Sequence, residues 1–316
     1  MKIDVIEDAG GLAEFRLEWS KFLERVPPAF PFQRPEWLLP WWSHFGSGRL
    51  RVMVFREAGE VAGVLPLFLH EWKGRRQLTL LGSGITDYLD PLLPSYAVEL
   101  VGEKLRSWDD WDVCDWQDLS RDTSLGVLGD VRDEMPCSTV ELNGSFEDFL
   151  AARPKDLRRN VRRYREKAEG MGPVVFEVSD AADAGLLDTL IELHRVRWEK
   201  SGESGMIAAN RSEGFVREVS GVFAAMGMLR IFTVRFSGRI AAILLAMRNE
   251  STIFSYLSAF DPEWEALGFG RELLARAFEY AYGQGYTRWD FLRGDEHYKF
   301  SWGAEVVPKC RVIIER

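Results

Sequence analysis

The chain has 316 residues, a hydrophobic content of 46%, a charged content of 28% and a formal net charge of −9. These values are typical of a soluble globular protein with one large or two ordinary domains, and the acidic balance argues against broad, non-specific binding of nucleic acid. Three widely separated cysteines, Cys114, Cys137 and Cys310, fit neither a disulfide framework nor a CxxC metal site, so we expect reduced core thiols in a cytoplasmic protein.

An internal repeat is the main organisational feature. Residues 50–65, "LRVMVFREAGEVAGVL", align at an offset of 179 with residues 229–244, "LRIFTVRFSGRIAAIL". Each copy predicts two strands joined by a tight turn, at Ala58-Gly59 or Ser237-Gly238. Both continue with a helical stretch and a further strand, "WDVCDW" or "RWDFL". The sequence therefore predicts an α/β fold of two tandem domains, residues 1–143 and 144–316.

The first copy lacks counterparts of the glycine-rich and Tyr-Lys sequences of the second copy described below. We therefore expect it to support the fold and to form one wall of an acceptor cleft, with Asp87 and Tyr88 of "DYLDPLL" as the main contributors. Trp37, Trp41 and Trp42 recur at helical spacing, which favours a core position.

A strongly basic helix opens the second copy. Residues 153–167, "RPKDLRRNVRRYREK", contain eight Lys/Arg and two acids, with a buried stripe at Leu157, Val161, Tyr164 and Ala168. A solvated basic face is the usual explanation for such a helix. Because little acid is present for i,i+4 pairing, we favour binding of a phosphate group. The candidate residues are Arg159, Arg162 and Arg163.

Further along, the sequence predicts helices over residues 183–200 and 212–226, three strands, a helix over 268–284 and a strand. His194 lies on an apolar helical stripe and is expected in the core. The stretch "EALGFGRELL" opens the 268–284 helix with Gly268, Gly270 and Arg271. Unpaired N–H groups at a helix start bind anions, and glycine permits close approach, although a glycine-rich N-cap without a ligand has the same pattern.

The strand "RWDFL" ends in a dense polar cluster, "RGDEHYKFSW". Asp290 is a candidate base, Tyr298 a candidate acid, and Lys299 a candidate ligand for a phosphate or an oxyanion. Arg293 and Asp295 are candidate substrate contacts. The alternative is a salt-bridged turn, Arg293 with Asp295 and Lys299 with Glu296, that anchors the last strand.

This order of elements resembles the GNAT acyltransferase fold, and its duplication resembles the FemAB-like branch. More narrowly, the chain is similar to the BioF2/CelD-like acetyltransferases. The likeness is carried by "FQRPEWLLPWW", "DYLDPLL", "LHRVRW", "FDPEW" and "DFLRGDEHYKFSW". It implies transfer of an acyl group to an amine by direct attack. It also implies that Arg197 and Trp198 line the cleft, because they match the family's H-x-x-RW pattern.

The resemblance implies acyl-coenzyme A, such as acetyl-coenzyme A, as donor, held by the Gly268–Arg271 loop. Glu265 stands where the family's loop motif has Gln or Arg. We expect the acceptor to be a small molecule or a cell-envelope precursor that carries an amine. Two alternatives stay open: transfer from aminoacyl-tRNA, as in the cell-wall Fem transferases, and a non-catalytic binding scaffold. We expect no metal site and no membrane-spanning segment, since the longest apolar run is far shorter than the roughly 20 residues that a bilayer requires.

Overall fold

The computed structural model describes residues 1–26, 30–201 and 210–316, with the backbone alone for 197–201. The chain divides into two compact units. Unit 1 consists of Met1–Pro136 together with Val307–Arg316, and unit 2 is the continuous segment Cys137–Val306. The first unit is therefore completed by the last residues of the chain.

Unit 1 contains a small antiparallel sheet and a larger mixed one. The orders are β1-β3-β4 and β2-β5-β6-β7-β14, with β6 and β7 parallel. The elements are β1 (Lys2–Ile6), α1 (Ala9–Leu23), α2 (Pro35–Phe45), β2 (Arg49–Leu50), β3 (Val52–Glu57), β4 (Glu60–Leu65), β5 (Leu67–Trp72), β6 (Arg75–Leu80), α3 (Val98–Ser107), β7 (Val113–Ser120) and the first part of β8 (Asp130–Glu141). The strand β14 (Glu305–Glu315) returns to β7.

Unit 2 contains a six-stranded sheet in the order β8-β13-β12-β11-β10-β9, in which β12 and β13 are parallel. Its elements after β8 are α4 (Phe146–Ala151), α5 (Lys155–Glu169), β9 (Val174–Ser179), α6 (Ala184–Ser201), α7 (Asn210–Ala225), β10 (Leu229–Phe236), β11 (Arg239–Arg248), β12 (Thr252–Phe260), α8 (Phe269–Gly283), β13 (Arg288–Arg293) and α9 (His297–Ser301). The predicted α/β class is confirmed, as is the order of helices and strands in the second copy. The polar cluster contains a short helix, α9, that the sequence did not indicate.

The internal repeat is visible in the backbone of both hairpins. Ala58 and Gly59 have φ of 49° and 89°, and Ser237 and Gly238 have φ of 49° and 84°. These left-handed pairs form the predicted tight turns. The strand register also shifts at Phe55/Arg56 in one hairpin and at Val234/Arg235 in the other, positions that again differ by 179. The repeat thus preserves turn and bulge together.

Most side chains expected in the core are buried, but Trp42 of α2 and Tyr164 of α5 are only half-buried. Trp37 and Trp41 of α2 are buried, and all three cysteines are buried free thiols. Burial raises the pKa of the Cys114 thiol well above its ordinary value. A thiol in such an apolar site is an inert packing group.

Candidate functional site

The parallel strands of unit 2 diverge at Asp290. β12 and β13 pair from Thr252↔Arg288 to Phe254↔Asp290 and no further along the described strands. We call this point the strand fork. β12 also shifts register against β11 between Leu245 and Ala246, which bends it beyond the fork. Past the fork, β12 and β13 no longer pair along the described strands. The N–H and C=O groups on that edge of β12 can therefore bind an extended, amide-containing ligand as an added strand.

Unit 1 contains an equivalent divergence, occupied by its own chain. β6 and β7 pair in parallel from Gln77↔Val113 to Thr79↔Asp115. Beyond that point the Leu89 N–H donates to Asp118 O at 3.1 Å. The Asp90 carboxylate accepts the Ser120 N–H at 2.7 Å and its hydroxyl at 2.9 Å. The segment that follows β6 thus takes the position that a ligand would need.

The glycine loop follows β12 after a six-residue 3₁₀ turn. Gly268 has φ of 65°, which places it in the left-handed region, and it is the N-cap residue of the 15-residue helix α8. A 3₁₀ turn, Pro262–Leu267, precedes it and contains Glu265, whose side chain is exposed. A Cβ atom on Gly270 would have an ordinary contact, 3.5 Å, with Phe260. The start of α8 therefore presents N–H groups and the positive helix end beside Phe260, the last residue of β12.

The basic helix α5 packs against this loop. The Tyr164 ring packs against Gly268, since a Cβ atom there would be 2.9 Å from the ring. Arg165 of α5 contacts the Glu272 carboxylate of α8 at 2.9 Å, and Arg276 contacts the same group at 2.9 Å. Glu272 is only 4% exposed, so this acid joins the two helices below the glycine loop. The structure brings together the two features that the sequence linked to phosphate.

The predicted arginines of α5 fall into two sets. Arg159 pairs with Asp156 at 3.0 Å and Arg162 with Glu166 at 2.7 Å, and both side chains are largely exposed. The expectation of little local pairing was wrong for these two residues, because Asp156 and Glu166 each lie one turn from their arginine. Arg163 instead lies over the Tyr164 ring, beside the glycine loop.

Glu272 gives a test of this helix pair. We expect Glu272→Gln to lower the free energy of unfolding by about 3 kcal/mol, because it leaves two half-buried guanidinium groups without their shared carboxylate. Glu279→Gln is the matched control: Glu279 contacts the same Arg276 at 3.3 Å but is half exposed. Its effect should stay below about 0.5 kcal/mol in denaturant titrations. Equal effects of the two changes would contradict a structural role for Glu272.

The backbone after Asp290 is held in an unusual conformation. Leu292 has φ of 61°, uncommon for a bulky residue, and it is 3% exposed. The Leu292 N–H donates to Asp290 Oδ1 at 2.7 Å, and Asp290 is 1% exposed. Strained residues of this kind persist where surrounding contacts fix them, and they cluster at functional sites. The candidate base is therefore fixed by the turn that follows it.

Lys299 fixes the same turn from the other side. Its Nζ lies 2.6 Å from Arg293 O, 3.2 Å from Gly294 O and 3.4 Å from Leu292 O. It also pairs with the Glu296 carboxylate at 2.9 Å. An ammonium has three donors, and these acceptors use them all. With 2% exposure, Lys299 occupies the anchoring position that the sequence offered as the alternative to direct catalysis.

The other candidate residues are more dispersed. Tyr298 is 44% exposed and meets Phe291 edge-on, and Asp295 lies at the surface. In unit 1, Asp87 is 9% and Tyr88 2% exposed. The Tyr88 ring stacks on Phe30 at 4.2 Å and carries Lys309 Nζ at 4.3 Å, which is a packing environment.

The remaining predictions concern α6 and the turn after β13. His194 is buried, as expected, and Arg293 is half-buried where β13 meets β8. The side chains of Arg197 and Trp198 lie outside the described residues. Sequence reasoning missed Glu272. Its only signal in the sequence is that an acidic residue occupies a position on the apolar stripe of α8. It also missed Ser138, which donates to Gly294 O at 2.9 Å and has no sequence signal.

Within the described ranges, no three His, Cys, Asp or Glu side chains are grouped so that they could bind a metal ion. In the same part of the chain, none of the helices combines the length and hydropathy required to span a bilayer.

Comparison with known proteins identifies a family-model match within unit 2. Residues 155–300 match the model of an acetyltransferase (GNAT) domain. No curated protein sequence matches the chain. Three solved structures share its fold. A crystal structure of FemX is 13% identical, covers 98% of this chain and 97% of its own, and has a TM-score of 0.69.

The second is the C-terminal domain, DUF2156, of a candidate lysylphosphatidylglycerol synthetase from Agrobacterium fabrum, with 12% identity, coverage of 96% and 93%, and a TM-score of 0.58. The third is a tandem GNAT protein from the clavulanic acid biosynthesis pathway, with 13% identity, coverage of 99% and 98%, and a TM-score of 0.52. These likenesses span both units, so the chain has a fold of two GNAT-like domains.

Proposed function

We propose that the protein transfers an acyl group from acyl-coenzyme A to an amine, because residues 155–300 match the model of an acetyltransferase (GNAT) domain and the chain shares its fold with FemX. The observation that carries the proposal is the position of the Gly268–Arg271 loop, which begins a 15-residue helix directly beyond the bent strand of the fork. Helix N–H groups suit a diphosphate, and the open strand edge suits the amide-rich arm of the donor.

The proposed reaction is direct attack. The acceptor nitrogen forms a bond to the thioester carbon, and the carbon–sulfur bond breaks. Asp290 takes the proton that the amine loses, and Tyr298 donates a proton to the departing thiolate. Lys299 holds the Leu292–Gly294 turn that follows Asp290. Arg293 and Asp295, which follow Asp290, are the proposed acceptor contacts in unit 2, together with Arg197 and Trp198.

The acceptor is proposed to be an amine on a small molecule or on a cell-envelope precursor. The fold shared with a candidate lysylphosphatidylglycerol synthetase supports the second class. A second donor, aminoacyl-tRNA, is favoured by one observation: α5 exposes a basic face that includes Arg159 and Arg162. Phosphodiester binding through such a face would fall steeply with salt, whereas coenzyme A binding in the glycine loop would fall less.

Calorimetric titration with acetyl-coenzyme A and longer acyl thioesters tests the proposal. We expect saturable binding by the wild type and at least about tenfold weaker binding by Gly270→Glu, because the new carboxylate would face the donor phosphates. A Cβ atom is accommodated at Gly270, so the fold should persist. Gly283→Glu is the matched control, since it lies at the far end of the same helix in open space.

Each result has a distinct meaning. Weaker binding by Gly270→Glu alone supports the donor site. If the two variants bind coenzyme A with equal affinity, its phosphates do not bind at the start of α8. Absence of binding to the wild type at millimolar ligand contradicts the acyl-coenzyme A proposal. Titration with aminoacyl-tRNA then decides between the second donor and a non-catalytic scaffold.

A further inference from the structure

Two arginines from different helices share one aromatic ring beside the glycine loop. The guanidinium carbon of Arg163, on α5, lies 4.7 Å from the centroid of the Tyr164 ring, and that of Arg271, in the first turn of α8, lies 5.3 Å from it. The two guanidinium carbons therefore lie no farther apart than the sum of these two distances. A ring face attracts cations because its quadrupole is negative there.

The same ring supports the loop backbone. Three ring atoms of Tyr164 would lie 2.9–3.3 Å from a Cβ atom on Gly268, so the ring occupies the space that any side chain at this position would need. Gly268 is the left-handed residue that starts α8. Tyr164 thus contacts both the residue that sets the direction of the first N–H groups of α8 and the arginine of its first turn.

The position of Tyr164 is itself fixed. Arg165 binds the buried Glu272 of α8, and Lys167 Nζ donates to Ala266 O at 3.3 Å, within the turn that leads into the glycine loop. These contacts lie on both sides of Gly268 in the sequence. Helix α5 therefore cannot shift along α8 without breaking contacts with the donor loop.

From this geometry we propose that Tyr164 is a positioning residue for donor binding. Its ring holds Arg271 and Arg163 on the side of the α8 N-terminus and fixes the Gly268 backbone, so that the N–H groups and the two guanidinium groups act on the same phosphates. The inference rests on the proposed use of acyl-coenzyme A. It adds that part of the donor affinity comes from α5, outside the glycine motif.

The test compares Tyr164→Leu with Tyr164→Phe. Leucine keeps apolar contact with Gly268 but has no ring face, whereas phenylalanine keeps the ring and loses only the hydroxyl. We expect about tenfold weaker binding of coenzyme A by Tyr164→Leu, since each cation–ring contact contributes a few-fold, and wild-type affinity for Tyr164→Phe. In steady-state assays the KM for the donor should rise in Tyr164→Leu while kcat at saturation stays within about twofold.

The possible outcomes distinguish a failure of this inference from a failure of the proposed function on which it rests. No binding of coenzyme A by the wild type contradicts both. Wild-type binding with unchanged affinity in Tyr164→Leu overturns the inference alone, as does Tyr164→Phe binding as weakly as Tyr164→Leu. A fall in kcat without a change in donor KM also overturns it. Circular dichroism and thermal unfolding establish that each variant is folded, and a Tyr164→Leu variant that fails to fold is replaced by Arg271→Ala, for which the same weakening is required.

Discussion

An Asp290→Asn variant is expected to keep its fold and to lose roughly 100-fold or more of its acyl-transfer rate, the usual contribution of a general base. The amide oxygen of asparagine can still accept the Leu292 N–H that Asp290 Oδ1 accepts at 2.7 Å. The turn is therefore preserved while the proton acceptor is removed. The rate is measured at saturating donor, and thermal unfolding reports the stability.

Glu141→Gln is the control for this change. Glu141 lies on β8, opposite Arg288 of β13, and its side chain is about half exposed in the pair at 2.7 Å. A carboxylate lost there should change the rate less than twofold, because the residue faces solvent at the end of β13 away from the polar cluster. An Asp290→Asn variant that retains more than a tenth of the wild-type rate would place the base elsewhere.

A Lys299→Met variant is expected to lose both stability and activity. Methionine fills a similar volume but leaves three backbone carbonyls without their shared donor, which we expect to cost about 3 kcal/mol of unfolding free energy. The turn of Leu292–Gly294 would then relax, and with it the position of Asp290. The free energy is measured by denaturant titration, and the rate is measured on the folded fraction.

Stability is the readout that separates the two roles of Lys299. A lysine that only contacts the substrate would be costly to bury, so its replacement would lower the rate and leave the stability unchanged or raised. Lys21→Met is the control, because Lys21 lies on α1 with its side chain exposed and takes no part in the proposed site. A loss of rate without a loss of stability in Lys299→Met would contradict the anchoring role.

Local sequence signals predicted most of the fold. The turns at Ala58-Gly59 and Ser237-Gly238 were predictable because few residue pairs adopt two successive left-handed conformations. The helix start at Gly268 was predictable for the same kind of reason, since the left-handed N-cap favours glycine. In each case, the residues that determine the turn or the helix start lie within a few positions of one another.

The candidate site was only partly predictable, because its contacts join distant residues. Tyr164 and Gly268 are more than a hundred positions apart, and no spacing rule brings them together. Ser138 and Gly294 meet across neighbouring strands whose pairing the sequence does not specify. Even the anchoring of Lys299, made within seven residues, depends on a left-handed Leu292 that propensity would not assign. The chemistry-bearing residues were identifiable, whereas the partners that fix them were not.

The return of β14 to unit 1 means that this unit cannot be completed until unit 2 has been synthesised. Chains emerge from the ribosome N-terminus first, and domains generally fold in that order. Here Lys309 reaches Asp90, 219 residues earlier, and β14 pairs along β7 from Lys309↔Ser120 to Glu315↔Val113. Unit 2 is thus complete while β7 still lacks this neighbour, and a nascent chain must keep that strand edge from aggregating until residues 307–316 have been synthesised.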